Sequence, residues 1–326
     1  MRIIMMGTGL FAEPTFAALL AGSHPVVGLV TQPDRPMGQE RGSTRQTGRG
    51  MKAIALQHNV PVLQPESINT PEGTTALREL QPDLLVVAAY GQILSRDVLA
   101  VPPTGGINVH ASLLPKYRGA APIAWAIYHG ETRTGITIIR MTTGLDAGDV
   151  LAQEALDILP DETAGELEAR LAPLGARLAM LVIDQMARGT IQGRPQDKSQ
   201  VTRAPKLKKE DGAIDWTRSG KDVCNQVRAM QPWPTAYTYW HRPGQAPLRL
   251  LVQRAAWHPL SPGEQPTPGE VLLGPAAGAE LLVAAGAGTA VEILELQPAG
   301  KRRMTAAEFV RGRPPRPGDR LGPEQP

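Results

Sequence analysis

Asn108-Val109-His110 puts an amide and an imidazole two residues apart at the end of a short apolar run. On a strand, residues i and i+2 face the same way, so the two side chains stand side by side. An asparagine amide can donate to a developing oxyanion, and a histidine can move a proton near neutral pH. A carboxylate follows at Asp146, inside the glycine-bracketed turn Gly144-Leu145-Asp146-Ala147-Gly148-Asp149. If that turn aims Asp146 back at the sheet edge, the set comprises an oxyanion donor, a proton carrier and a carboxylate to orient it. Taken singly, each residue reads as a polar strand end or a hydrogen-bonded core histidine. Taken together, they suit acyl-type transfer through a tetrahedral intermediate. No G-x-S-x-G motif is present, and the single cysteine, Cys224, lies in the back half. Direct transfer between two bound substrates therefore fits better than an acyl-enzyme. His110 and Asp146 have no H-E-x-x-H or C-x-x-C pattern beside them, so no metal is expected.

Such groups need a rigid edge to project from. Apolar runs of strand length occur at Arg2–Met6, Val26–Val30, Val60–Leu63, Leu84–Ala89, Gly106–His110 and Gly135–Met141. Helical spacing falls between them, at Glu13–Ala21, Ala53–Gln57 (starting near Arg49), Thr74–Leu80 and Ala121–His129. This alternation predicts an α/β domain, a parallel sheet with helices on its faces. A long helical pattern over Glu162–Met186 is expected to bend or break near Pro173. Gly7-Thr8-Gly9-Leu10-Phe11-Ala12 fits the G-x-G-x-x-A dinucleotide pattern, with Asp34 as a ribose-binding candidate. Asp34 lies inside a basic loop and not at a strand tip, which counts against that reading.

The texture changes along the chain. Residues 1–189 are expected to form the α/β domain, 190–204 a polar linker, and 205–326 a second domain. In that last stretch one short helix, Val223–Met230, precedes β-type segments at Ala236–Trp240, Leu248–Gln253, Glu270–Leu272, Glu280–Ala284 and Ala290–Glu295. Gly/Pro-rich turns separate them, the pattern of a small β-barrel or sandwich. Arg313–Pro326 is expected to fray.

With 326 residues, 42% hydrophobic and 20% charged, the composition excludes global disorder. One cysteine excludes a disulfide scaffold and a multi-cysteine zinc site and fits a cytoplasmic setting. No run approaches the ~20 apolar residues of a membrane span. The net charge of +3 is unevenly spread, −2 over residues 1–198 and +5 over 199–326, which suggests an anionic partner for the back half. The segment 33–52 has no hydrophobic periodicity and a net charge of +3. It reads either as a mobile basic finger for a phosphate-rich partner or as a tolerated surface insertion.

The run from Asn108 to Ile123, NVHASLLPKYRGAAPI, resembles the active-site segment of the 10-formyltetrahydrofolate-dependent formyltransferases. The Gly144–Asp149 turn resembles that family's second signature. Thr31-Gln32-Pro33-Asp34-Arg35-Pro36, Ala204–Glu210 with Ile214-Asp215-Trp216, and Arg228–Ala236 around Pro232-Trp233-Pro234 are most similar to the members that formylate methionyl-tRNA. The resemblance spans nearly the whole chain. It implies a Rossmann-like formyltransferase domain followed by an OB-like, tRNA-binding β-barrel. It also implies 10-formyltetrahydrofolate as cosubstrate and initiator methionyl-tRNA as acceptor, with no metal and no membrane, and a monomer is expected. By the same resemblance Asn108, His110 and Asp146 match the catalytic trio. Ser112, Leu113, Leu114 and Pro115, with Tyr90, Gly91, Gln92 and Leu94, match the folate-binding region. The sequence departs from the family at Gly9, where proline is common. It departs again at Gln39-Glu40, where the family continues Arg-Gly-Lys-Lys. Arg41, Arg45 and Arg49 are therefore the candidate tRNA contacts of the basic loop, with Lys206, Lys208 and Lys209 in the back half. The competing readings are a sister formyltransferase acting on a small amine (a nucleotide sugar or glycinamide ribonucleotide) and a dinucleotide-binding protein.

Overall fold

The computed structural model describes residues 1–34, 50–272 and 280–325. The chain packs into two compact units. The first comprises Met1–Ile123, Thr132–Leu159 and Glu166–Lys206, and the second comprises Ala124–Glu131, Pro160–Gly165 and Leu207–Pro326.

The strands of the first unit are β1 (Ile3–Gly7), β2 (Val26–Val30), β3 (Val62–Leu63), β4 (Leu84–Ala88), β5 (Gly106–His110), β6 (Arg118–Gly119), β7 (Arg133–Arg140), β8 (Val150–Asp157) and β9 (Arg203–Ala204). The helices of the chain's front part are α1 (Glu13–Ala21), α2 (Met51–Gln57), α3 (Pro71–Glu79), α4 (Arg96–Leu99), α5 (Pro122–Tyr128) and α6 (Ala164–Ala187). Seven strands make one sheet in the order β3-β2-β1-β4-β5-β7-β8. β3 through β5 are parallel, as the β/α alternation predicts. β5–β7 and β7–β8 are antiparallel, so two antiparallel strands extend the expected parallel sheet at one edge. β8 escapes sequence reading because Gln153, Glu154 and Asp157 interrupt its apolar residues, as suits an edge strand with one solvated face.

β1 and β4 are completely buried, which explains their unbroken apolar sequences. α6 packs beneath β5. A Cβ added to Gly175 would stand 2.7 Å from Val109 Cγ1, so glycine here permits close approach of helix and strand. α6 runs unbroken through Pro173, so the expected break does not occur. Proline inside a helix costs about 3 kcal/mol. The buried Leu167, Leu171, Ala176, Ala179 and Ile183 along this helix offset that cost.

The second unit contains α7 (Gly220–Ala229), β10 (Ala236–His241), β11 (Leu248–Pro259), β12 (Val271–Leu272), β13 (Leu281–Ala285), β14 (Thr289–Pro298), β15 (Met304–Thr305), α8 (Ala306–Gly312) and β16 (Arg320–Gly322). Its antiparallel sheet runs β12-β13-β14-β11-β10-β16. Val271 N–H donates to Asp319 O at 3.1 Å and Leu321 N–H to Gly269 O at 2.7 Å, joining the two ends of that order. Trp240, Leu250, Val283, Ile293 and Phe309 lie in the core it encloses.

The C-terminal stretch expected to fray is ordered here. Arg320–Gly322 pairs with Tyr239–His241, and Asp319, fully buried, accepts from the Arg242 guanidinium. A Pro/Gly/Arg-rich composition concealed this one partner. α8 was also missed, although Thr305 and Glu308 form the reciprocal cap that marks a helix start.

Candidate active site

β5 lies between β4 and β7, and alternation along it sorts its side chains. Ile107 and Val109 are buried, Val109 against α6, while Asn108 and His110 look to the other face. β7 runs antiparallel to β5 and leaves the sheet beside β5's first residues, with Arg140 opposite Ile107. Asp146 therefore does not come from a neighbouring strand tip at the same edge. Its turn reaches back across the face of β5. Asp146 itself has φ +48°, the left-handed region, which directs its carboxylate toward the strand.

The three residues meet. Asn108 Nδ2 donates to Asp146 Oδ1 at 3.2 Å, and Gly119 N–H donates to Asp146 Oδ2 at 2.9 Å. His110 Nδ1 lies 3.6 Å from Asp146 Oδ2, with the two side chains 5% and 11% exposed. On its other side, His110 Nε2 is 2.9 Å from the carbonyl oxygen of Tyr117. A carbonyl only accepts, so Nε2 carries a hydrogen and donates it. In the neutral ring the lone pair is then on Nδ1, which faces Asp146. A proton taken up at Nδ1 arrives beside a carboxylate. One Asn108 N–H is used on Asp146, and the amide carries a second.

Ser112–Pro115 forms a fixed turn. The Ser112 hydroxyl is buried and donates to Lys116 O at 2.7 Å, so it is neither accessible nor placed as a nucleophile. Leu114 packs with Ile139 and Val150, and Leu113 Cδ2 lies over Gly135 of β7. The Leu114–Pro115 peptide is cis. Thr137, opposite His110 on β7, donates to Ser112 O at 2.6 Å and accepts from Leu114 N–H at 3.1 Å. Gln153 Nε2 donates to Leu114 O at 3.0 Å and to Thr137 Oγ1 at 2.8 Å. Thr137 and Gln153 thus clamp the turn, and neither was picked out in the sequence.

The second expected binding segment follows β4, beside the end of β5. Ala89 (φ +47°) and Gly91 (φ +84°) make a sharp turn there. The Tyr90 ring lies in the core with Leu94, Ile68 and Val98. Burial pushes the Tyr90 hydroxyl up to about 12, and that oxygen has no partner among the described residues. Tyr90 and Leu94 thus shape the wall from inside. Gln92 ties the turn down, accepting from Ile68 N–H at 3.0 Å and donating to Glu66 O at 3.2 Å.

Arg41, Arg45 and Arg49 lie outside the described residues. Lys206 is exposed at the end of the first unit, and Lys208 and Lys209 are exposed at the start of the second. Asp34, the ribose-binding candidate, is held by Lys52 and by Gln64 Nε2 at 2.9 Å, and these bonds keep its carboxyl below the usual range. Gly7 needs no nucleotide to explain it, since an added Cβ would come within 2.8 Å of both Ala12 Cβ and Ala88 O. No group of three His, Cys, Asp or Glu residues among the described residues could hold a metal ion. No helix among them is long and apolar enough to cross a membrane.

Two family profiles match the chain: formyl transferase over residues 1–183, and the formyl transferase C-terminal domain over residues 206–314. A methionyl-tRNA formyltransferase of Chloroflexus aggregans is 47% identical over 312 residues, covering 96% of this chain and 97% of its own. One of Geobacter sulfurreducens is 45% identical over 322 residues, covering 99% and 97%. Among solved structures, an N-formyltransferase from Helicobacter canadensis, in complex with folinic acid and dTDP-3-aminofucose, superposes with a TM-score of 0.65. It covers 90% of this chain and 98% of its own at 15% identity, a likeness of fold. Both halves of the sequence match, and the relatives align over nearly their full lengths: the chain belongs to the formyl transferase family.

Proposed function

We propose that the protein transfers the formyl group of 10-formyltetrahydrofolate to the amino group of initiator methionyl-tRNA. The observation that carries the reaction type is the His110 ring held between Tyr117 O and the Asp146 carboxylate, with the Asn108 amide beside it. The near-full-length identity to two methionyl-tRNA formyltransferases supports the acceptor.

In this mechanism the free amine attacks the formyl carbon. Asn108 donates its second N–H to the oxygen as negative charge develops. The lone pair on His110 Nδ1 takes the proton the amine loses, and Asp146 sits against the resulting imidazolium. Collapse breaks the bond to N10 of the folate, and His110 returns the proton to that nitrogen. The products are the formylated amine and tetrahydrofolate. No acyl-enzyme is needed. The Ser112 and Thr137 hydroxyls both donate to backbone carbonyls. Cys224 lies in the second unit, where burial pushes its thiol up to about 12.

The folate is expected along Ser112–Pro115 and the turn from Tyr90 to Leu94. The tRNA is expected on the basic residues Arg41, Arg45, Arg49, Lys206, Lys208 and Lys209. The test is formyl transfer from 10-formyltetrahydrofolate to charged initiator tRNA, run for wild type and His110→Ala. Transfer by wild type that His110→Ala loses is the expected result. A folded wild type that formylates a small amine and not the tRNA would overturn the acceptor. Replacing Arg41, Arg45 and Arg49 together is expected to raise the KM for tRNA and to flatten its salt dependence, leaving folate binding intact.

A further inference from the structure

Residues 190–204 carry no apolar pattern, yet their side chains and backbone converge on the residues that hold the trio. Gln196 Nε2 donates to Asp146 O at 2.8 Å and to Gly148 O at 2.7 Å. Its Oε1 accepts from Arg118 Nη2 at 2.7 Å and Nε at 3.1 Å. Every polar position of this amide is therefore used, on β6 and on the Asp146 turn at once. Thr202 acts on Arg118 too, and on Tyr117 beside it: Tyr117 N–H donates to its Oγ1 at 2.8 Å, and Arg118 N–H donates to its carbonyl at 2.9 Å. β9 then pairs with β6, where a Cβ on Gly119 would stand 2.3 Å from Ala204 O. At the start of the segment, Arg194 and Val150 exchange backbone bonds of 2.8 and 2.9 Å.

What the segment grips is what grips the catalytic pair. The Tyr117 carbonyl fixes the His110 tautomer, and the Gly119 N–H fixes Asp146 Oδ2. Asp146 also occupies a left-handed backbone conformation that L-residues disfavour, and Gln196 holds its carbonyl there. We propose that Gln196 and Thr202 are positioning residues for formyl transfer, and that Arg194–Ala204 is a strap holding the catalytic geometry and not a passive tether. The proposal rests on the formyl-transfer reading above.

The test uses the full chain. Wild type, Gln196→Ala, Gln196→Glu, Thr202→Val and Thr202→Ser are compared in kcat, in both KM values and in the pH profile of kcat. The ring 15N shifts of labelled histidine are recorded for each, since they report the His110 tautomer without substrate. A misplacement of ~1 Å costs as much as about 10²-fold in rate, so Gln196→Ala is expected to lower kcat about 10–100-fold with KM values within about twofold. The pH profile and the His110 ring shifts are expected to move with it, which a purely structural role would not cause. Gln196→Glu keeps an acceptor for Arg118 but sets oxygen against the two carbonyls, so it is expected to fail as the alanine variant does. Thr202→Val is expected to lower kcat, and Thr202→Ser, which keeps the acceptor, to restore it. Full activity in Gln196→Glu would overturn the proposal by reducing the residue to a partner of Arg118. So would Gln196→Ala with unchanged kcat and ring shifts. If wild type does not formylate methionyl-tRNA, the functional reading fails by itself, and the ring shifts decide the strap.

Discussion

Asp146 and Asp319 are both carboxylates withdrawn from water and held by several donors, one in each unit. Asp319 is 0% exposed and faces Arg242, whose Nη2 lies 2.7 Å from Oδ2 and whose Nε lies 3.1 Å from Oδ1. Arg316 N–H adds a further bond at 3.0 Å. A guanidinium does not lose its charge in a protein, so this pair has one state. Asp146 is 11% exposed, accepts from a neutral amide and a backbone N–H, and lies 3.6 Å from an imidazole nitrogen. That imidazole can be neutral or charged, so the Asp146 cluster has two states that differ by one proton. A permanent partner makes a carboxylate a fastener for the chain. A titratable partner leaves it available for chemistry.

The same isosteric change at both places separates the two roles. Asp319→Asn leaves Arg242 buried against a neutral amide, and breaking a buried pair from one side costs about 3–5 kcal/mol. Its expected signature is a large fall in melting temperature with kcat per folded molecule unchanged. Asp146→Asn is expected to do the reverse, lowering kcat by about 10²–10⁴-fold, the usual worth of a placed acid–base system. Its melting temperature should stay near wild type. Equal stability losses in the two variants would erase the distinction.

Asn108→Ala separates two roles inside the site. It removes the donor proposed for the oxyanion together with one bond to Asp146. A rate loss of about 10²–10³-fold is the size expected for an oxyanion donor. A loss of only severalfold, measured under single turnover, would mean that Asn108 serves Asp146 and not the substrate.

The parts of this arrangement legible in the sequence were those written locally. The i, i+2 spacing of Asn108 and His110 needs only a strand, and Glu13–Ala21 shows the same limits in sequence and structure. Asp146 was legible as a turn residue, but not the direction from which it arrives. Composition says that β7 is a strand and nothing about whether it runs parallel to β5. The strap was illegible for a related reason. Gln196 is 50 residues from Asp146, and Thr202 is 85 from Tyr117, in a stretch whose polarity reads as solvated linker. Tyr90 shows a different limit. Its segment matches a family binding motif, and burial turns its side chain into core. A motif gives the position of a segment and leaves open which of its atoms face the ligand.

In a third carboxylate, one buried oxygen has no hydrogen-bond partner among the described residues, unlike those of Asp146 and Asp319. Glu168 lies on α6 beside the buried Leu167, and its Oε1 is buried with no hydrogen-bond partner among the described residues. Burial pushes its carboxyl from the ordinary 4.5 up to about 7. The folded state therefore prefers the neutral acid. Below about pH 4.5 both folded and unfolded chains are protonated here and the group costs nothing. As pH rises from about 4.5 to about 7, the unfolded chain has released a proton that the folded chain retains, so stability falls across that window and levels off above it. Glu168→Gln fixes the neutral form at every pH. It is expected to melt higher than wild type at pH 8, by about 2–4 °C for each kcal/mol relieved, and to show no such gain at pH 4. An equal gain at both pH values would assign the effect to packing, and a loss at pH 8 would mean that the charged carboxylate has a partner after all.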